Sequence, residues 1–262
     1  MSYKKFFCFT ALLLFAVLLL PALNASAAKS GYYYQIKIYH FKDKEQQQLT
    51  DAYLKDQYLP TLHKMGFKDI GVFKPVGNDT TDLRTYVFIP FVSWKSMETF
   101  DANVYKTDSA AISGKNYIDA ESKNPPYLRM ETIVLKAFAT RPFPAAPKLT
   151  ADHDDRIYEL RSYESPTEKY HYNKVRMFNS GETDLFDRLK FNPVFYGDVI
   201  AGSHMPNLMY LTTFNSKEDR DKHWDAFSND PQWKDLSGRA EFQNNVSKAD
   251  IIFLHPTIYS DF

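Results

Sequence analysis

Two short stretches carry the side chains best suited to chemistry. In Tyr34-Gln35-Ile36-Lys37-Ile38-Tyr39 a strand's alternation puts Gln35, Lys37 and Tyr39 on one face. In Tyr158-Glu159-Leu160-Arg161-Ser162-Tyr163 it puts Glu159, Arg161 and Tyr163 on the matching face. If the apolar sides (Ile36, Ile38 and Leu160) meet helices, the polar sides point toward an opposing sheet. Lys37, Glu159 and Arg161 then need partners, because an unpaired buried charge is too costly to keep. Two readings stand side by side. Arg161 clamps a ligand carboxylate or phosphate bidentately, with Tyr39 or Tyr163 donating to it. Alternatively, Glu159, Arg161 and Lys37 form a salt-bridge network that only holds the sheets in register.

Other candidates are single residues. His204, in the loop Gly202-Ser203-His204-Met205-Pro206, is either a general acid–base or a solvent-facing turn residue. His40 ends the first strand on the face of Ile36 and Ile38, and reads as a buried, hydrogen-bonded histidine in the helix-covered core. His153, in Asp152-His153-Asp154-Asp155, reads as part of a solvated linker rather than a cation site. Tyr196, Phe195 and Phe73, with Trp94, Trp224 and Trp233, read as core aromatics or as the lining of an apolar pocket.

Absent motifs narrow the chemistry. No HxxxH, HxH or HExxH occurs among the seven histidines, and the one cysteine, Cys8, rules out CxxC pairs and internal disulfides, so no metal site is expected. The nine glycines form no GxGxxG, GxxxxGK[ST] or GxSxG, so no nucleotide cofactor is expected either. Lys plus Arg and Asp plus Glu balance at 32 each, which argues against nucleic acid as a partner. An apolar content of 44% excludes wholesale disorder.

The N-terminus reads as an address. Lys4 and Lys5 precede an apolar run from Phe6 to Leu20, then Pro21 and Ala25-Ser26-Ala27: a signal peptide at 1–27, cut at Ala27/Ala28. The run is too short to span a bilayer, so the mature chain is not expected to be membrane-spanning. An exported chain that then lacks cysteine fits a bacterial periplasm or extracellular space, although sequons stand at Asn78 and Asn245.

The elements that must position these residues are written twice. The hexapeptide at Tyr34 echoes that at Tyr158; at the same spacing Tyr86 meets Tyr210 and Phe100 meets Trp224. A proline-rich linker, 139–155, separates a first repeat (31–138) from a second (156–262). Each predicts β-α-β-β-α-β, with helix starts at Asp43, at Ser165-Pro166-Thr167-Glu168 (a capping box), at Ser93 or Ser216, and at Asp230-Pro231. The predicted class is therefore α+β: two tandem ferredoxin-like repeats pairing sheet to sheet as a dimeric α/β-barrel. Such a chain is a pseudo-dimeric monomer or a homodimer.

The second repeat resembles the NIPSNAP family of the dimeric α/β-barrel superfamily. The resemblance rests on Tyr158-Glu159-Leu160-Arg161-Ser162-Tyr163, Leu208-Met209-Tyr210-Leu211-Thr212-Thr213-Phe214, Trp224-Asp225-Ala226-Phe227 and Asp230-Pro231-Gln232-Trp233. The first repeat, with Tyr34-Gln35-Ile36-Lys37 at its opening, is looser. The resemblance implies the fold and an exported module that binds a small organic ligand or a protein partner. The alternative is a cofactor-independent monooxygenase, isomerase or decyclase using the barrel cavity, with His204 or Tyr163 as acid–base and Arg161 stabilising an enolate.

Overall fold

The computed structural model describes residues 31–77, 83–108 and 115–262. Segment 1–30, which holds the predicted leader, and the sequon at Asn78 lie outside the described residues. The described residues form eight strands: β1 (Tyr33–Phe41), β2 (Gly71–Pro75), β3 (Leu83–Phe91), β4 (Arg129–Ala137), β5 (Ile157–Glu164), β6 (Phe195–Ala201), β7 (Asn207–Phe214) and β8 (Lys248–Pro256). All pair antiparallel and close into one barrel in the order β1-β3-β2-β8-β5-β7-β6-β4. The first four strands follow the order β4-β1-β3-β2 and the last four β8-β5-β7-β6, the order of a split βαβ unit.

The halves meet along two hydrogen-bonded seams, with Phe73 opposite Pro256 on one and Leu135 opposite Val199 on the other. Joining edge to edge leaves no strand edge open. The second seam needs glycine at Gly197, where a Cβ would lie 2.9 Å from Leu135 Cβ. Gly31–Phe262 forms one compact unit, so the two groups of strands share a single interior.

The first helical layer contains α1 (Lys44–Tyr53), a π-turn (Leu54–Tyr58), α2 (Leu59–Lys64), α3 (Trp94–Glu98), α4 (Phe100–Asp108) and α5 (Lys115–Ile118). The second contains α6 (Glu168–Met177), a π-turn (Phe178–Glu182), α7 (Thr183–Arg188), α8 (Lys217–Asn229) and α9 (Pro231–Gly238). Most start signals act as read. Asp43 Oδ1 accepts from Gln46 N at 2.9 Å, Ser93 and Ser96 form a reciprocal capping box, Ser216 Oγ accepts from Asp219 N, and Asp230 caps α9 ahead of Pro231. The box expected at Ser165 does not form: α6 starts at Glu168 behind Thr167, whose side chain makes no cap bond.

The faces of the first strands are the reverse of those expected. Tyr34, Ile36, Ile38, Tyr158 and Leu160 fill the bore of the barrel, with Phe73, Phe88, Phe195 and Phe262. Phe88 stacks on Phe195 at 4.9 Å and Phe73 meets Tyr158 at 5.1 Å, so aromatic rings from both halves interlock there. Gln35, Lys37 and Tyr39, like Glu159, Arg161 and Tyr163, therefore turn outward under the helices. The middle of the bore holds aromatic and aliphatic side chains, with charged groups such as Arg84, which donates to Tyr86 Oη at 3.0 Å, kept to one end. The helices, by contrast, bring carboxylates and cations that pair with Glu159, Arg161 and Lys37.

The match of Tyr86 with Tyr210 does not survive either. Lys37 stands opposite Val87, while Arg161 stands opposite Tyr210. Tyr86 is thus one register step away and points into the bore, and Tyr210 points under the helices. A one-residue slip in a strand exchanges its faces.

Candidate functional site

The seven sequence candidates fall into three places. Glu159, Arg161, Tyr163 and Tyr196 lie under the second helical layer. Lys37 and Tyr39 lie under the first. His204 lies outside both, in the loop before β7, with a half-exposed ring 3.1 Å from Glu164. Its φ of 65° is consistent with the turn-residue reading.

Under the second layer the space is filled by paired ions. Glu159 is fully buried and accepts from Arg161 Nε, from Arg220 Nε at 2.6 Å and from Trp224 Nε1 at 3.0 Å. The Arg161 guanidinium lies over the Trp224 ring, 3.7 Å from its centroid, and donates to Tyr163 Oη at 2.8 Å. Tyr163 in turn shares a 2.7 Å hydroxyl contact with Tyr210. Burial alone would lower the Arg161 pKa, but Tyr210, Tyr163 and Glu159 hold it above its usual value. A second buried pair, Lys174–Glu182, lies in the same layer, and burial raises the Glu182 carboxyl against the pull of Lys174 and Arg161. The Glu159–Arg161 half of the expected salt-bridge network is therefore present, with Arg220 taking the place foreseen for Lys37.

Lys37 is instead paired across the first layer. Its ammonium lies 3.2 Å from Asp101 Oδ1; the lysine side chain is 9% exposed and the aspartate 77%. Tyr58 and Phe100 rings lie below it at 5.7 and 5.6 Å. Phe100 lies beneath Lys37, and Trp224 lies beneath Arg161. Around Lys37 opens a cleft of about 420 Å³, walled by Tyr39, Tyr53, Tyr58, Tyr117 and Tyr127. Tyr53 stacks on Tyr117 at 3.8 Å, Tyr39 meets Tyr127 edge-on at 5.4 Å, and Tyr117 Oη donates to Tyr39 Oη at 3.4 Å. Burial pushes the Tyr39 hydroxyl up to about 12.

Sequence reasoning missed most of this wall. Tyr53 and Tyr58 are five residues apart and would diverge on a regular α-helix; the π-turn returns them to one face. Tyr117 and Tyr127 come from α5 and the approach to β4, connections that carry no periodic signal. Asp101 follows Phe100 directly, and only the closed layer shows that it reaches Lys37. Lys174, Glu182 and Arg220 were likewise unmarked as members of the second cluster.

The expected apolar pocket is divided. Phe73 and Phe195 point into the bore, and Tyr196 packs with Tyr210, Phe138 and Phe178 under the second layer. Trp94 is half exposed against Tyr33, while Trp224 and Trp233 border the ion cluster. His40 is partly exposed at the rim of the bore, bonded to Glu131 Oε1 at 2.7 Å, not buried under helices. Asn245 is buried, so that sequon is not presented to solvent. Among the described residues no group of three or more His, Cys, Asp or Glu side chains converges to hold a metal ion. None of the described helices is long and apolar enough to cross a membrane.

A barrel closed from two such sets of strands, with a sheet–helix space in each, defines an α+β antiparallel barrel of the ferredoxin-like kind. Residues 158–261 match the NIPSNAP family model. Among solved structures, a proposed monooxygenase from Lactobacillus acidophilus NCFM superposes with a TM-score of 0.57 at 13% identity, covering 86% of this chain and 94% of that one. A proposed monooxygenase from Fusobacterium nucleatum superposes with a TM-score of 0.56 at 8% identity, covering 87% and 93%. At these identities the likeness is one of fold. A NIPSNAP family protein from Agrobacterium tumefaciens aligns 98% of its length to 44% of this chain, at 17% identity and a TM-score of 0.38. A comparison with curated proteins finds no match.

Proposed function

We propose that this chain is an exported small-molecule-binding barrel whose ligand occupies the tyrosine-walled cleft around Lys37. One observation carries the reading: a cleft stays open beside the shielded ammonium of Lys37, where the place beside Arg161 is filled by Glu159, Arg220 and Trp224. Concave, largely aromatic cavities with a few converging polar groups are the usual form of small-molecule sites. In this reading the barrel arose by duplication of a NIPSNAP-like unit, one copy keeping its pocket and the other becoming structural. A closed barrel without free strand edges supports a self-sufficient monomer, and the leader at 1–27 supports export with cleavage at Ala27/Ala28.

Native mass spectrometry of the mature protein, combined with titration of planar aromatic compounds followed by tyrosine fluorescence, tests the proposal. Retention of a small molecule, or saturable quenching lost in Tyr117→Ala, is the expected result. Unchanged quenching in that variant would place the ligand elsewhere.

A second reading keeps the chain an enzyme of the cofactor-independent monooxygenase, isomerase or decyclase type. Its support is the full-length likeness to the two proposed monooxygenases. Arg161 is an unsuitable enolate stabiliser, being held by Glu159 and stacked on Trp224. Lys37 and the Tyr39–Tyr117 hydroxyl pair are the groups that would replace it. Oxygen uptake with polyphenolic substrates, absent in Lys37→Met, is the measurement that would favour this reading.

A further inference from the structure

The two halves treat their outward-facing strand cation differently. In β5 the residue two before Arg161 is Glu159, a carboxylate with no exposed surface that neutralises it from the same strand. In β1 the residue two before Lys37 is Gln35, which is neutral, and its buried Oε1 has no hydrogen-bond partner. The Lys37 ammonium consequently relies on Asp101, a carboxylate on the opposite wall whose side chain is 77% exposed.

This pair is lopsided. The Lys37 ammonium sits above the rings of Tyr58 and Phe100 on a side chain that is only 9% exposed. Asp101 stands at the solvent side of the cleft and loses little by turning into water, where carboxylates are well solvated. Glu121, also exposed at the cleft, contributes a screened charge at the mouth and none at the floor. Among the described residues lining the cleft, the shielded charge is therefore positive, and its present counter-ion is replaceable.

We infer that the cleft takes an aromatic carboxylate, its ring among the tyrosines and its carboxylate on Lys37 Nζ in place of Asp101. The inference rests on the cleft being a binding site, as proposed above. The ring of such a ligand would meet the edges and faces of Tyr39, Tyr53, Tyr117 and Tyr127, which favour offset or edge-on aromatic contacts. Its carboxylate would form the charge-assisted bond that Asp101 makes to Lys37 in the free protein. Exchange of one carboxylate for another leaves the charge balance at Lys37 unchanged, so the enclosed ammonium is paired before and after binding.

Two probes of the same shape separate the cleft from its charge preference: 2-naphthoate and neutral 2-naphthalenemethanol, titrated calorimetrically into the mature protein. The expected result is binding of naphthoate at least about tenfold tighter than the alcohol, a difference of about 1.4 kcal/mol. Asp101→Asn, which removes the competing carboxylate at an exposed position and keeps the side chain's shape, should tighten naphthoate several-fold and leave the alcohol unchanged. Lys37→Met should erase the preference while keeping binding of the alcohol. Equal affinities in the wild type, or a preference for naphthoate that Asp101→Asn leaves the same, would overturn the carboxylate inference and leave the binding cleft standing. No heat from either probe at millimolar concentration would overturn both.

Discussion

Lys174 Nζ lies 2.9 Å from Glu182 Oε2, and the two side chains are only 7% and 3% exposed. The π-turn Phe178–Glu182 brings the carboxylate back over α6, and the Phe178 ring supports the ammonium at 4.6 Å. Removing one member strands the other charge inside the layer. Glu182→Gln should therefore lower stability by about 3–5 kcal/mol, whereas Lys174→Met combined with Glu182→Leu should lose far less. Guanidinium denaturation of both variants measures the contrast; equal losses would mean that packing, and not charge, holds this region.

Trp224 serves Glu159 and Arg161 together, donating its indole N–H to one and its ring face to the other. Trp224→Phe keeps a ring and removes the donor, leaving a charged acceptor one bond short. The expected cost is about 1.5–3 kcal/mol, read from the shift in denaturation midpoint. A loss within a few tenths would show that Arg220 and Arg161 satisfy Glu159 without the indole.

Alkaline pH should unfold the protein through its buried phenols. Burial raises Tyr39 to about 12 and lifts Tyr196 and Tyr210 well above 10, so the folded state keeps protons that the unfolded chain releases. The sign follows: stability is whole below about pH 10, the ordinary tyrosine value, and declines as pH climbs from there toward about 12. Phenolate absorbance should rise in a cooperative step coincident with loss of circular dichroism. Smooth titration of all tyrosines at an ordinary value, with the fold intact, is the contrary outcome.

Phe262 packs into the bore against Phe73, Phe88 and Tyr158. Asp261 holds the segment in place by accepting from Ile70 N at 2.8 Å. Phe262→Ala should open a cavity among these rings and cost about 3–5 kcal/mol. Thermal unfolding of this variant, with an apolar dye to report access to the bore, tests whether the ring is structural or merely laid across the rim.

Much of the architecture was legible because it is local. The strand alternation at Tyr34–Tyr39 and Tyr158–Tyr163, the caps at Asp43, Ser93, Ser216 and Asp230, and the order of elements all follow from neighbours in sequence. The candidate site was half legible. Lys37 and Tyr39 were marked by a charge and a hydroxyl recurring on one strand face, but Asp101, Tyr53, Tyr117 and Tyr127 reach them from four other segments.

What the chain determined by itself is which residues share a strand face and where the helices begin, since alternation and capping depend only on the backbone period and the next few residues. Tertiary structure decided which face looks into the bore and which under the helices. An alternating strand offers two faces and says nothing of what covers each. Closure edge to edge put aromatic and aliphatic side chains of β1 and β5 inside and left Lys37, Glu159 and Arg161 to the helices. There Glu159 neutralises Arg161 from the same strand, and Lys37 is left with a partner at the surface.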